Sequence, residues 1–409
     1  MRTSMRRVGV AVMAAAVLVG TAGQNALAAS EDRAGAEQNA EQNAEQNAAR
    51  DHGELRRAMD ELVAAGAAGV VVRVHDRRGE WTGSAGVAEL HRSAKPSPEG
   101  RFRVGSITKT FVATVVLQLV GEGRLRLDEP VDRYLPRYGL DRRITVRMLL
   151  NHTSGLFNYT GDVKADGTPE AGLPLWGQDY VDNLFRTYRA DDLVRLALSR
   201  PARFEPGARH SYSNTNYTLL GMLIEQATGT DYATQVERRV LRPLGLHGTS
   251  LPGTKTGIPG RHAHGYMLYQ HQGQQKVVDV TRMNPSWAGA AGEIISTTED
   301  LDRFVTALLG GRLLKPELLA EMRKTVFRNE TERVGLGLFQ NEFAPGCTAY
   351  GHTGGTQSAS SYMYSTADRG KRIEFSVTHG LVDAGDPAAA KRFDEANKKL
   401  ASVALCGRG

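Results

Sequence analysis

A serine hydroxyl is a weak nucleophile until a neighbouring base takes its proton. Ser106 and Lys109 stand three residues apart at the head of the run RVGSITKTFVATVVLQLVGEG, residues 103–123. On a helix, side chains at that spacing meet on one face. The run is apolar on nearly every face, which predicts a buried helix with Ser106 at its start. It is too short, and too interrupted by Thr and Gln, to span a bilayer. A hydroxyl at a helix start also feels the positive end of the helix dipole, which favours developing negative charge. Taken alone, the four residues read equally as a serine N-cap followed by a solvated lysine.

Two further motifs follow in chain order. Tyr212-Ser213-Asn214 lies in a polar loop before a helical stretch at 217–228, and His352-Thr353-Gly354 precedes a strand-like stretch at 358–364. Singly, each has a plain structural reading: a half-buried aromatic, a helix cap and a glycine turn. Together they resemble the S-x-x-K, S-D-N and K-T-G triplet of penicillin-interacting enzymes. The Tyr-Ser-Asn and His-Thr-Gly variants resemble the branch that holds class C β-lactamases and secreted actinomycete D-Ala-D-Ala carboxypeptidases. FRVGSITKTF, ITVRMLLNHTSGL, HAHGY, SWAGAAGEIISTTEDLDRF and YGHTGG extend the likeness over nearly all of residues 100–380.

The resemblance implies roles. Ser106 becomes acylated, Lys109 takes its proton as a neutral amine, and Tyr212 passes a proton to the leaving group. Asn214 orients Lys109 and the substrate amide. The backbone N–H groups of Ser106 and Gly355 form the oxyanion hole. His352, Thr353 and Gly354 line the cleft from the sheet side, with Thr353 on a substrate carboxylate. Trp287 reads either as a cleft-lining tryptophan or as a core one. The expected substrates are small peptides, esters or β-lactams, cell-wall peptides among them. D-alanyl-D-alanine carboxypeptidase is the first reading, with β-lactamase, esterase and D-amino-acid amidase or peptidase as alternatives. A non-catalytic penicillin- or peptide-binding module is the alternative of another class.

Two positions depart from the carboxypeptidase pattern. Phe339 stands where the resemblance places an arginine for the substrate's terminal carboxylate, and Gly355 stands where a hydroxyl is common. Phe339 is expected to offer apolar surface instead, and the preference for a free carboxylate to be weak. Arg328 and Arg333 are the nearby cations in sequence.

Positioning these residues takes strands at both chain ends and helices between them. Strands are predicted at 69–75, 80–88, 335–339, 358–364 and 372–379, and helices at 54–65, 144–150, 190–198, 217–228, 299–309, 316–322 and 388–405. The expected fold is α+β and β-lactamase/transpeptidase-like, an antiparallel sheet flanked by helices plus an all-helical subdomain. The sheet lobe would take about 51–125 and 286–409, the helical lobe about 126–285, with the site in the cleft between them.

Composition bounds the rest. Arg2, Arg6 and Arg7, an apolar stretch at 8–19 and Ala26-Leu27-Ala28 read as a cleaved signal peptide over 1–28, so a secreted protein is expected. Residues 29–50, with three Glu-Gln-Asn-Ala repeats, read as a low-complexity linker. No apolar tail suggests a membrane anchor. The formal charge of +6 falls to +3 once the leader's three arginines are removed, too mild and scattered for nucleic-acid binding. Cys347 and Cys406, two cysteines in an exported chain, predict one disulfide. His262 and His264 in RHAHGY lack a third partner for a metal site, and His152 reads as a satisfied buried histidine. No cofactor is expected, and the protein is expected to be a monomer.

Overall fold

The computed structural model describes residues 51–163, 168–381 and 386–407. The expected signal peptide and linker, residues 1–28 and 29–50, lie outside these residues. Glu54–Gly409 forms one compact unit.

Its centre is an eight-stranded, wholly antiparallel sheet. The strand order is Gly79–Gly86, Ala67–Asp76, Arg372–His379, Ala359–Ser365, Cys347–Gly355, Phe339–Ala344, Glu332–Val334 and Val326–Phe327. The early hairpin therefore pairs directly with the last strand, Val70 opposite Val377 and Val72 opposite Phe375. Strand period sorts the side chains to the two faces. Val70, Val72 and Val74 join Ile373, Phe375 and Val377 under the helices at 51–64 and Pro387–Cys406. Val71 points the other way, into the core built on the Ser106 helix.

That helix is short 3-10 at Gly105–Ile107 and then α-helical over Thr108–Gly121. Eleven of the fourteen α-helical residues are buried, so it is a core rod rather than a surface helix. Phe111 stacks on Phe304 of the Thr298–Leu309 helix at 3.7 Å between ring centroids. The Asn214–Thr228 helix lies against it and ends at Gly229, whose φ of 75° suits a left-handed helix stop. Thr145 caps the Val146–Leu150 helix by accepting from the Met148 N–H.

Three segments differ from the sequence reading. The strand expected at 335–339 starts only at Phe339, because Gly335 and Gly337 make a bend. A Cβ at Gly337 would come within 2.4 Å of Ala113 Cβ and 2.7 Å of the Tyr217 hydroxyl, so the bend presses on the Ser106 helix. His352-Thr353-Gly354 is not a turn but the end of the Cys347–Gly355 strand. The middle segment, read as helices and loops, also carries a hairpin of Tyr266–His271 with Gln274–Asp279 and a short pair of Asp162–Val163 with Pro169–Glu170.

The disulfide joins Cys347 to Cys406, with Cα atoms 5.8 Å apart. It ties the head of the Cys347–Gly355 strand to the end of the C-terminal helix across 59 residues of chain. The chain-entropy relation gives such a loop roughly 4 kcal/mol. Thiol titration of the denatured, unreduced protein is expected to find no free thiol, and Cys347→Ser is expected to lower the Tm by many degrees. Two free thiols would contradict the pairing. Among the described residues no helix is long and apolar enough to cross a membrane.

Candidate active site

Ser106 sits in the 3-10 turn, where the chain enters the buried helix. One helical turn on, Lys109 is fully buried. Its Nζ lies 2.9 Å from Ser106 Oγ, 2.8 Å from Asn214 Oδ1 and 2.5 Å from the Ala291 carbonyl oxygen. All three partners are neutral. Burial with no counter-charge holds the amine well below the usual lysine range. That favours the neutral amine, whose two N–H groups can serve Asn214 and Ala291 while its lone pair faces the Ser106 hydroxyl. The Ala291 carbonyl comes from the Gly289–Ala291 3-10 turn, and nothing in the residue types announces that contact.

Tyr212 closes the other side. Its phenol is hydrogen-bonded to Ser106; burial pushes it well up, and that bond pulls the other way. The ring lies 4.9 Å from Lys109 Nζ and 4.3 Å from the His152 ring. Ser106 is thus held between an amine and a phenol that both resist charging. Asn214 is fixed in turn. It receives the Lys109 bond on Oδ1, donates from Nδ2 to Thr160 Oγ1 at 3.1 Å, and donates its backbone N–H to Asn158 Oδ1 at 3.0 Å. The helix cap position itself belongs to Ser213. His152 is buried, and its Nδ1 takes the Ser213 N–H at 3.2 Å, the satisfied histidine the sequence suggested. Burial, with Lys109 second, holds its imidazole well below the ordinary value.

The Cys347–Gly355 strand supplies the third wall. A Cβ on Gly354 would lie 1.9 Å from the Val104 carbonyl oxygen and 2.9 Å from Ser106 N, and one on Gly105 would lie 2.7 Å from Gly355 N. The two backbones meet with no room for a side chain. This brings the N–H-bearing atoms of Ser106 and Gly355 into one neighbourhood, as an oxyanion hole requires. A Cβ on Gly355 meets nothing within 4 Å, so the strand end faces open space. His352 is buried with Nδ1 2.5 Å from the Thr353 carbonyl oxygen. Burial, then Lys109, hold its imidazole down at about 3, so it remains neutral.

One residue is placed otherwise than expected: Phe339 is only 3% exposed, its ring 4.4 Å from the His352 ring, so it offers no open apolar surface. Trp287, 9% exposed, lies in a buried cluster with Met283 and Ala288, in line with the core alternative of its two readings. His264 Nδ1 lies 2.6 Å from Asp279 and His262 Nδ1 2.7 Å from the Gly260 carbonyl oxygen. The one group with metal-ligand spacing among the described residues is His75, Glu80 and Asp302. Its two carboxylates already pair with Arg73 and Arg372.

This arrangement has relatives. The sequence profile of the family described as Beta-lactamase matches residues 55–392. A D-stereospecific amidohydrolase from Streptomyces sp. superposes with a TM-score of 0.76 at 37% identity, covering 88% of this chain and 99% of that one. D-amino acid amidase from Ochrobactrum anthropi SV3, solved with L-phenylalanine amide, gives a TM-score of 0.74 at 27% identity over 88% and 100% of the two chains. Esterase EstB of Burkholderia gladioli is 33% identical over 230 residues, 54% of each chain. The chain spans about half the length of the curated relatives it matches.

Proposed function

The chain belongs to the β-lactamase family and is a serine hydrolase, and from that premise we propose that it cleaves amide bonds of D-configured substrates through an acyl-enzyme on Ser106. The observation that carries the reading is the uncharged cage of Lys109, a buried amine within hydrogen-bond reach of the Ser106 hydroxyl. The amide and the D configuration are supported by the two amidohydrolase relatives.

In this reading Ser106 Oγ attacks the carbonyl carbon as Lys109 Nζ takes the hydroxyl proton. The oxyanion forms against the backbone N–H groups of Ser106 and Gly355. As the C–N bond breaks, Tyr212 donates its phenolic proton to the leaving nitrogen, and the proton that Lys109 took from Ser106 restores the phenol. A water then attacks the ester, its proton passing to Lys109, and Ser106 Oγ leaves with a proton. Asn214 keeps Lys109 aimed at Ser106 throughout. His352, Thr353 and Gly354 form the wall along which the substrate lies. Export is part of the proposal, supported by the leader-like first 28 residues and the disulfide.

The test is a panel of D- and L-phenylalanine amide, an N-acyl-D-alanyl-D-alanine peptide, a nitrophenyl ester and a penicillin. Hydrolysis of the D-amide is expected to exceed that of the L-amide by at least about tenfold, roughly 1.4 kcal/mol of transition-state discrimination. Equal rates, or turnover of the ester alone, would contradict the reading.

A further inference from the structure

Away from Ser106, one face of the sheet gathers charge that the reaction does not use. Side chains two apart on a strand share a face. Arg73 and His75 therefore point the way Val71 does, toward the Thr298–Leu309 helix, and Arg73 Nε donates to Thr298 Oγ1 at 3.3 Å. On the last strand Glu374 stands opposite Arg73 and Arg372 opposite His75, and Glu80 faces His75 from the other side. The helix adds Asp302. One ligand atom each from His75, Glu80 and Asp302 lie within 4.8 Å of one another. The His75 ring makes no hydrogen bond among the described residues.

The charges in this cluster do not balance. Arg73 pairs with Glu80 Oε1 and Arg372 with Asp302 Oδ1, so each pair engages one oxygen of its carboxylate. That leaves Glu374. It is 0% exposed, and neither of its carboxylate oxygens has a hydrogen-bond partner among the described residues. Ile373 and Phe375, its chain neighbours, face the opposite side of the sheet, so Glu374 is turned into the cluster. Asp302, Arg372, Arg73 and Glu80 all act on it electrostatically. Three carboxylates thus face two guanidiniums, and a buried carboxylate needs a counter-charge, a metal or a proton.

We propose that His75, Glu80 and Asp302 bind a divalent metal ion, with Glu374 as the buried negative charge behind it. One imidazole nitrogen with two carboxylate oxygens suits zinc, at three protein ligands and one position open to water. Bonds of about 2.0–2.2 Å require the three atoms to draw together, which the half-exposed Glu80 side chain allows. The ion clips the hairpin of Ala67–Asp76 and Gly79–Gly86 to the Thr298–Leu309 helix, whose Phe304 stacks on Phe111 of the Ser106 helix. Its role is structural, and no step on Ser106 runs through it.

The experiment adds zinc chloride to the chelator-treated, dialysed protein and follows the heat of binding and the Tm. One ion per chain is expected, with the Tm raised by roughly 3–4 °C at a hundredfold excess over Kd. His75→Ala is expected to stay folded and to lose both signals. Glu374→Gln, which keeps the shape and removes the charge, is expected to weaken zinc binding by about ten- to a hundredfold. His264→Ala, which breaks the stacked surface pair of His262 and His264, is expected to change neither signal. No binding, or binding that survives His75→Ala and disappears in His264→Ala, would overturn the site. Equal zinc affinity in the wild type and Glu374→Gln would mean that Glu374 keeps a proton, and would remove the charge argument on which the site rests.

Discussion

Ser106→Ala is expected to lose all covalent labelling and about 10⁴- to 10⁶-fold of kcat, the scale of removing a serine nucleophile outright. The fold is expected to survive. Ser106 is half-buried and its hydroxyl meets Lys109 and Tyr212, so the structural loss is of the order of one or two hydrogen bonds, about 1–2 kcal/mol. Near-ultraviolet circular dichroism and the Tm would establish that the variant is folded, and single-turnover assays would measure the rate. A variant that is folded and retains a tenth of wild-type activity would place the nucleophile elsewhere. Gly354 and Gly105 explain why few neighbouring changes would serve as well: a Cβ at either meets backbone within 3 Å, so those variants would confound chemistry with structure.

Lys109→Met carries the second large effect. The swap keeps length and removes the amine, and is expected to cost at least about 10²- to 10⁴-fold in kcat/KM, the worth of a general base. The wild-type rate is expected to rise with pH as the amine sheds its proton, and the variant to lack that limb. Stability carries a second signature with a definite sign. The folded amine binds its proton more weakly than the unfolded one, so between the folded value and the unfolded lysine value the unfolded chain holds the extra proton. Wild-type stability measured against Lys109→Met must therefore increase as pH rises from 7 toward 9.5, by at most about 1.4 kcal/mol per pH unit. Denaturant melts of both proteins at the two pH values would measure it. A decrease with pH would mean that the lysine is charged and paired in the fold.

The Ser106–Lys109 contact was legible because helical spacing alone makes such neighbours meet. The two-ended sheet was legible too, since GVVVRVH at 69–75 and RIEFSVTH at 372–379 have strand composition, and they pair. The Cys347–Gly355 strand was not. Its end, HTGG, also reads as a turn, yet the missing side chain at Gly354 is what lets the strand lie against Val104 and Ser106. The third acceptor of Lys109 is a backbone carbonyl, for which residue type carries no signal. Phe339 misled for a different reason. The sequence shows that the arginine is absent there but not that the ring is buried against His352, with the Arg328 guanidinium 5.0 Å from its centroid. Sequence order identified the chemistry, and only tertiary geometry showed which of the expected surfaces are covered.

The most direct measurement is peptide mapping by mass spectrometry of the wild-type protein after brief exposure to a penicillin or an activated D-aminoacyl ester. The account predicts one acyl group per chain, on the peptide that contains Ser106, and none on Ser106→Ala. An adduct on another residue, or full turnover by a folded Ser106→Ala protein, would contradict it.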